Sequence, residues 1–334
     1  MKIIIPMAGR GTRLRPHTLT TPKPLIKIAG KPIIQWLVED LLVLVDGKVE
    51  EVAFVVHHQD PSMEAFFESL TSELKLPVKV YYQQDLLGTA HALYTAKESL
   101  TGNVLIAFGD ILFKSDKKLD PTQEAIVWVK KVQNPSAFGV VKVDENNVIT
   151  DFIDKPDTFI SDRAVAGVYF FKEGDRLRNE IATFLEEQIL VDGEYPFTTV
   201  LDRMKGKGVK FVPGLVDEWV DCGTKDAMIE ANQTYLNHLP KKHMVAETVQ
   251  VINSVLISPV FVGENVKIVN SVIGPHVSVE ADTQITNSVI SKSLLLEGAN
   301  VINVNMSNSM LGKRVTYEGK VSDLSLGDFN KLFD

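Results

Sequence analysis

The spacing of apolar positions changes partway along this 334-residue chain, and the change divides it in two. Up to about residue 235, short β-branched runs alternate with stretches in which apolar residues recur three or four apart. The runs at 2–5, 51–56, 78–82, 104–108, 125–129 and 165–171 predict strands. The stretches at 33–44, 61–74, 89–100, 179–188 and 225–236 predict helices. Strands alternating with helices predict an α/β fold, a parallel-rich sheet covered on both faces. Ligands of such sheets bind beyond the carboxyl ends of the strands, so chemistry is expected there.

Beyond residue 248 the period shortens. Asn-Ser followed by two apolar residues recurs at Asn253, Asn270, Asn287 and Asn308, at intervals of 17, 17 and 21. Apolar anchors fall at Val262, Ile268, Ile273, Val279, Ile285 and Ile290, with steps of 6, 5, 6, 6 and 5. Steps near six that sum to a coil of 17 predict a hexapeptide β-helix in which each anchor stacks on the next coil. A sandwich of short strands is the competing arrangement. The expected division is residues 1–236, a linker at 237–248 containing Pro240, Lys241 and Lys242, and a solenoid at 249–334.

Composition narrows the function classes. The net charge of −8 argues against broad nucleic-acid or membrane binding, which needs a basic face, while leaving room for small anionic substrates. The single cysteine, Cys222, makes no internal disulfide or zinc site by itself; it reads as a small buried residue in a reducing compartment. The apolar start is too short for a signal segment, and the stretch at 33–45 is broken by Glu39 and Asp40, so a cytoplasmic location with no membrane span is expected.

The first strand runs into Ala8-Gly9-Arg10-Gly11-Thr12-Arg13-Leu14. Two glycines let backbone N–H groups approach a phosphate, and Arg13 adds a planar fork matched to its oxygens. Leu14 stands where a dinucleotide fingerprint needs its third glycine, and no Walker A sequence is present. Pro16, Pro22, Pro24 and Pro32 preclude a regular helix, which leaves an extended arm with Lys23 held between two prolines. This stretch, with Pro22-Lys23-Pro24-Leu25, resembles the G-x-G-T-R and P-K-x-L signature of sugar-1-phosphate nucleotidyltransferases. The likeness is greatest to glucose-1-phosphate thymidylyltransferase-like enzymes that carry a C-terminal left-handed β-helix. It implies a Rossmann-like three-layer nucleotidyltransferase domain, with nucleotide contacts at Ala8, Gly9, Gly11 and Thr12 and catalytic roles for Arg13 and Lys23.

Further segments extend the resemblance. Gln83 precedes Gly88 and Thr89, which open a predicted helix; a glutamine amide offers one donor and one acceptor, suiting the imide edge of uracil or thymine. Guanylyl-specific relatives tend to carry Glu there, and an exposed strand end is the plainer reading of Gln83. His91 reads as a helix-surface or packing residue rather than a catalytic one. Asp110 ends a buried strand, and Asp221 lies in Trp219-Val220-Asp221-Cys222-Gly223-Thr224, just before a helix. Magnesium favours one or two carboxylates plus phosphate oxygens and water, so these two are the expected Mg2+ ligands, although each alone suits a turn or cap. The resemblance also implies sugar-phosphate contacts at Gly139, Asp154, Lys155 and Gly167, with Lys155 holding the reacting phosphate. Asp154 departs from the family's usual Glu and Ala166 from a frequent Thr, which leaves the sugar open.

The expected reaction joins an NTP, dTTP or UTP before others, to a hexose-1-phosphate, glucose-1-phosphate before others, and releases pyrophosphate. Mannose-1-phosphate guanylyltransferase and a catalytically silent nucleotide-sugar sensor are the alternatives. Solenoid tails often pack against one another, so a homo-oligomer is expected; neither nucleic acid nor membrane is an expected partner.

Overall fold

The computed structural model describes residues 1–9, 11–46, 48–239 and 244–320. The chain forms two compact units. One is Met1–Ile26 with Lys31–Thr224; the other joins Lys27–Gly30 to the residues from Lys225 onward. The division falls ahead of the expected 236/237 boundary, because helix Lys225–His238 packs with the coils. Of the expected linker, residues 240–243 lie outside the described residues, and Val245 already pairs with Val262.

The first unit is built on a nine-stranded sheet. Strands Val78–Tyr82, Glu51–Val56, Lys2–Pro6 and Val104–Ala107 lie side by side and parallel. Strand Arg163–Phe171 then runs antiparallel to Val104–Ala107 and carries Ala125–Lys131 and Val140–Val143 beside it. Apart from Glu51, strands Glu51–Val56 and Val104–Ala107 are apolar, and both are buried throughout, as a sheet covered on both faces requires. Helix Pro61–Leu74 starts where Asp60 accepts the Ser62 and Met63 amides. Helix Thr89–Thr95 ends before the expected residue 100, since the chain tightens into i→i+3 bonds such as Ala96 to Leu93. Helix Phe197–Gly206 was not predicted, and Gly174–Glu186 begins before the expected 179. None of the described helices is long and apolar enough to cross a membrane.

The second unit contains the hexapeptide β-helix that the anchors predict. Three parallel sheets stack its coils. Ile268 lies beside Ile285 and Ile285 beside Val301, Ile273 lies beside Ile290, and Val262 lies beside Val279 and Val279 beside Leu295. All six predicted anchors have zero exposure and belong to one apolar cluster. Asn253, Asn270, Asn287 and Asn303 hold left-handed corners, which Asn tolerates better than other side-chain-bearing residues. Their amides form a ladder, each donating to the next at 2.8, 3.2 and 3.1 Å. The predicted fourth member, Asn308, occupies a different corner: residues 310–311 join the sheet of Val262 rather than that of residues 255–256. The coil shortens by one residue after Asn287, so the ladder passes to Asn303.

Candidate active site

The carboxyl ends of two adjacent parallel strands, Lys2–Pro6 and Val104–Ala107, form the base of the site. One continues into Met7-Ala8-Gly9, the other into Phe108-Gly109-Asp110. Gly109 donates to the Pro6 carbonyl at 3.0 Å, and a Cβ there would stand 2.6 Å from that of Met7. Only glycine lets the two ends come this close.

Asp221 reaches Asp110 by a second pairing. Strands Ile111–Lys114 and Glu218–Asp221 are antiparallel, with Asp221 opposite Ile111. The Cys222 amide then donates to the Asp110 carbonyl at 2.9 Å. Lys23 lies 3.1 Å from Asp110, and Arg13 lies 3.8 Å from Asp221. Lys23 is buried, whereas Arg13 is largely exposed. Burial, then repulsion from Asp110, holds the Asp221 carboxyl above its ordinary range, partly offset by Lys23 and Arg13. Its Oδ1 is buried without a hydrogen-bond partner among the described residues. Two carboxylates that repel each other, one with an orphaned oxygen, fit a hard divalent cation. Among the described residues no cluster of three or more His, Cys, Asp or Glu is placed to hold a metal, so substrate oxygens and water would complete the shell.

The expected extended arm is instead three 3-10 turns, Thr12–Leu14, His17–Leu19 and Lys23–Leu25. Proline forbids the α-helical ladder here, but the turns close through the Leu14, Leu19 and Leu25 amides onto Gly11, Pro16 and Pro22. Gly11 takes a left-handed conformation, and the Thr18 hydroxyl donates to its carbonyl at 2.8 Å. Among the described residues nothing lies within 4 Å of a Cβ built at Gly9, which leaves that backbone open to a ligand. Arg10 lies outside the described residues.

Two cavities meet at Asp110. The first, about 400 Å³, takes its walls from Ala8, Gly9, Gly11, Thr12, Arg13 and Lys23 on one side, and from Gln83, Gly88 and Thr89 on the other. The second, about 240 Å³, includes Gly139, Asp154, Gly167 and Asp221. Lys155 stands apart: its side chain is exposed, its φ is +39°, and its amide donates to the Phe138 carbonyl. Asp154, Asp110 and Asp221 give the second cavity an acidic wall.

The base side is more tightly bound up than its residue types suggest. Gln83 is 3% exposed. Its amide nitrogen donates to the Gly88 carbonyl at 3.3 Å and contacts His91 Nδ1 at 2.9 Å. The Thr89 hydroxyl accepts the Phe197 amide, and the Ala90 amide donates to Tyr195. Gly88 has a φ of +105°, and a Cβ there would sit 2.7 Å from the Tyr195 backbone.

Several wall residues were not singled out from sequence. Gly223 makes room for Arg13, whose Nη2 would be 2.6 Å from an added Cβ; its place in the W-V-D-C-G-T run was the available signal. Glu194 lines the first cavity with no local signal. Trp219 donates to the Ala166 carbonyl at 3.1 Å and meets Phe138 edge-on at 4.8 Å, giving the second cavity an aromatic wall. The Tyr169 hydroxyl is pushed well up by burial and then by the Asp154 charge.

The chain belongs to the nucleotidyl transferase family, whose model matches residues 2–238. A GlmU-like C-terminal hexapeptide model matches residues 230–321, in keeping with a left-handed β-helix. Within that family it is of the sugar-1-phosphate nucleotidyltransferase type. Bifunctional protein GlmU of Methanococcus maripaludis is 30% identical over 77% of this chain, and that of Methanocaldococcus jannaschii 32%. The chain spans about 60% of the length of these relatives. The Drosophila melanogaster mannose-1-phosphate guanylyltransferase catalytic subunit beta is 31% identical, covering 77% of this chain and 69% of its own length. A Bacillus anthracis structure described as a glucose-1-phosphate thymidylyltransferase shares the fold at a TM-score of 0.60 and 24% identity, over 70% of this chain and 94% of that one. A UDP-glucose pyrophosphorylase structure does so at 0.59 and 23%, over 71% and 99%.

Proposed function

We propose that this chain transfers a nucleotidyl group from dTTP or UTP to a hexose-1-phosphate, glucose-1-phosphate before others, with release of pyrophosphate. The observation that carries the reading is the meeting of Asp110 and Asp221 beside Lys23 and Arg13, where the two cavities join. The nucleotide occupies the first cavity and the sugar phosphate the second.

The nucleophile is a phosphate monoester whose second pKa is about 6, so it is dianionic near neutral pH without a general base. Its oxygen bonds to the α-phosphorus as the bond from that phosphorus to the pyrophosphate oxygen breaks, in line. Asp110 and Asp221 would hold Mg2+, which when bound supplies the positive charge that lets two anionic substrates meet. Arg13 and the loop at 8–12 bind the departing pyrophosphate. Lys23, fixed by its prolines and Asp110, faces the α-phosphate. Lys155, exposed and next in sequence to Asp154 of the second cavity, would draw in the sugar phosphate. Positioning and electrostatics supply the rate in such a reaction. A homo-oligomer assembled through the coils fits this reading.

Guanylyl transfer from GTP to mannose-1-phosphate is the second reading. The Gln83 amide nitrogen is engaged within the protein, which weakens its assignment to a pyrimidine edge, and the fly relative is named for mannose-1-phosphate. The deciding experiment measures pyrophosphate release for the five common NTPs against glucose-, mannose- and N-acetylglucosamine-1-phosphate in Mg2+. Turnover with dTTP or UTP and glucose-1-phosphate is expected. GTP with mannose-1-phosphate would move the assignment to the second reading, and no release from any pair would end both.

A further inference from the structure

The hairpin that follows Lys23 does not belong wholly to the first unit. Residues 27–30 group with the second unit, although the chain on both sides of them groups with the first. Strands Lys27–Ile28 and Lys31–Pro32 pair, and Ala29 and Gly30 make the two-residue turn between them, both at positive φ. Such turns normally lie at the surface, yet Ile28 is fully buried and Ala29 nearly so. Helix Lys225–His238 packs on the first strand of the hairpin, and the Phe261 ring lies against the turn so closely that a Cβ on Gly30 would collide with it.

One side chain holds this turn. The Asn232 Oδ1 atom accepts the Ala29 amide at 2.9 Å and the Ser278 hydroxyl at 2.6 Å. Asn232 and Ser278 both have zero exposure. The Asn232 Nδ2 atom has no partner among the described residues, which is costly for a buried donor. An apolar residue would avoid that cost, so the asparagine is accounted for by the two bonds its oxygen accepts. Ala29 needs such a hold. At φ +45° it occupies backbone that disfavours a Cβ, and a residue persists there only when its surroundings fix it. The position of the turn passes to Lys23 through a short segment with little freedom. The Ile26 amide donates to the Lys23 carbonyl at 3.1 Å, the Ile26 carbonyl accepts the Ile33 amide at 3.0 Å, and Pro22 and Pro24 flank the lysine with fixed φ.

We propose that Asn232 is a positioning residue for the reaction: it fixes the 27–30 turn within the second unit, and through the turn it sets where Lys23 Nζ stands beside Asp110 and against the α-phosphate. Lys23 is buried, so the reach of its side chain follows its backbone rather than swinging freely. This rests on the reading that Lys23 faces the α-phosphate. It gives the coil-bearing unit a part in turnover that is separate from assembly.

The test combines hydrogen exchange with kinetics on the full chain. In Asn232→Ala the Leu25 and Ile26 amides, which close the turn carrying Lys23, should exchange about tenfold faster, while those of strand Val104–Ala107 keep their protection. With the substrate pair that turns over, kcat should fall about tenfold with both KM values unchanged, because a small displacement of Lys23 costs catalysis rather than binding. In a Lys23→Ala background the same substitution should cost nothing further. Ser278→Ala, which removes one of the two bonds to the same oxygen, should reproduce the pattern at smaller amplitude and carries the test if Asn232→Ala does not fold. Parental exchange at Leu25 and Ile26 in a folded variant, or a kcat loss that adds to that of Lys23→Ala, would overturn the proposal. Absence of turnover in the parent would remove the proposed reaction alone, since exchange at Leu25 and Ile26 still decides whether Asn232 holds the segment that carries the lysine.

Discussion

The amide of Cys222 donates to the carbonyl of Asp110 at 2.9 Å, and this bond fixes the separation of the two carboxylates of the site. It extends the antiparallel pairing of Ile111–Lys114 with Glu218–Asp221 by one step, so two residues far apart in sequence leave the same ladder at the same end. The arrangement is costly to the protein alone. Asp221 is drawn out of water, faces another carboxylate and keeps one oxygen unsatisfied. Strain of this kind is tolerated where a ligand relieves it.

Asp221→Asn is therefore expected to lower Mg2+-dependent turnover by about 10²–10³-fold while raising the thermal midpoint of the ligand-free protein. Its pKa lies above the ordinary value, so the folded state holds this proton more tightly than the unfolded chain. Stability accordingly falls as pH rises from the unfolded pKa through the folded one, and the asparagine should flatten that decline. Melting curves from pH 4 to 8 in EDTA check this; a midpoint below the parent's at neutral pH would contradict the repulsion.

Gly223→Ala should act through Arg13. The new methyl would press on the guanidinium, the movable end of a largely exposed side chain, so the fold yields at little cost while the arginine shifts. Turnover is expected to fall about tenfold or more, because a displacement of about 1 Å is expensive in catalysis. Arg13→Ala should cost about 10²–10³-fold in kcat. The double variant should be no slower than Arg13→Ala alone, since there is then nothing left to displace. Additive losses would assign Gly223 a separate role.

Much of this was legible in the sequence because the relevant residues break local patterns. Gly9, Gly11 and Pro22-Lys23-Pro24 interrupt an apolar strand and cannot continue as helix, and Asp110 follows a buried run with no polar neighbour to explain it. The six solenoid anchors were legible because a constant step requires a constant direction, and all six are buried. What escaped depends on distant pairing. Nothing local to Glu194–Phe197 indicates that its backbone holds Leu87 and Ala90 and crowds Gly88. The Asn-Ser pattern pointed to Asn308, but the coil loses a residue and the ladder continues through Asn303, which is followed by Val304. Asn308 instead donates to Asp226.

That ladder gives a stability prediction. Asn287 accepts from Asn270, donates to Asn303 and holds a left-handed corner at φ +49°. Asn287→Ala loses both bonds and, with them, the polar side chain that lets asparagine tolerate a left-handed corner, where such backbone costs other Cβ-bearing residues roughly 1–2 kcal/mol. Asn287→Gly loses the bonds but not the backbone fit. Denaturant unfolding should rank parent above glycine above alanine, with alanine lower by about 2 kcal/mol. Equal losses for the two variants would show that the ladder, not the corner, sets the stability.

Glu280 supplies the sharpest pH signature. It is almost fully buried in the second unit, with Oε1 unpartnered among the described residues and Lys27 at 3.4 Å as its ion-pair partner. Burial raises its pKa, Lys27 and Lys313 oppose the rise, and Glu297 adds to it. Because the folded value lies above the unfolded one, the native state retains a proton that unfolding releases. Stability should decline as pH rises above the ordinary glutamate range, by up to about 1.4 kcal/mol per pH unit until the folded group ionises. Glu280→Gln keeps the shape and removes the titration. Lys27 is left unpaired but is about two-fifths exposed, so water replaces the lost partner at small cost. The variant should match the parent at pH 4 and exceed it at pH 8. Parallel stability curves for parent and variant across that range would mean that Glu280 ionises as freely in the folded protein as in the unfolded chain.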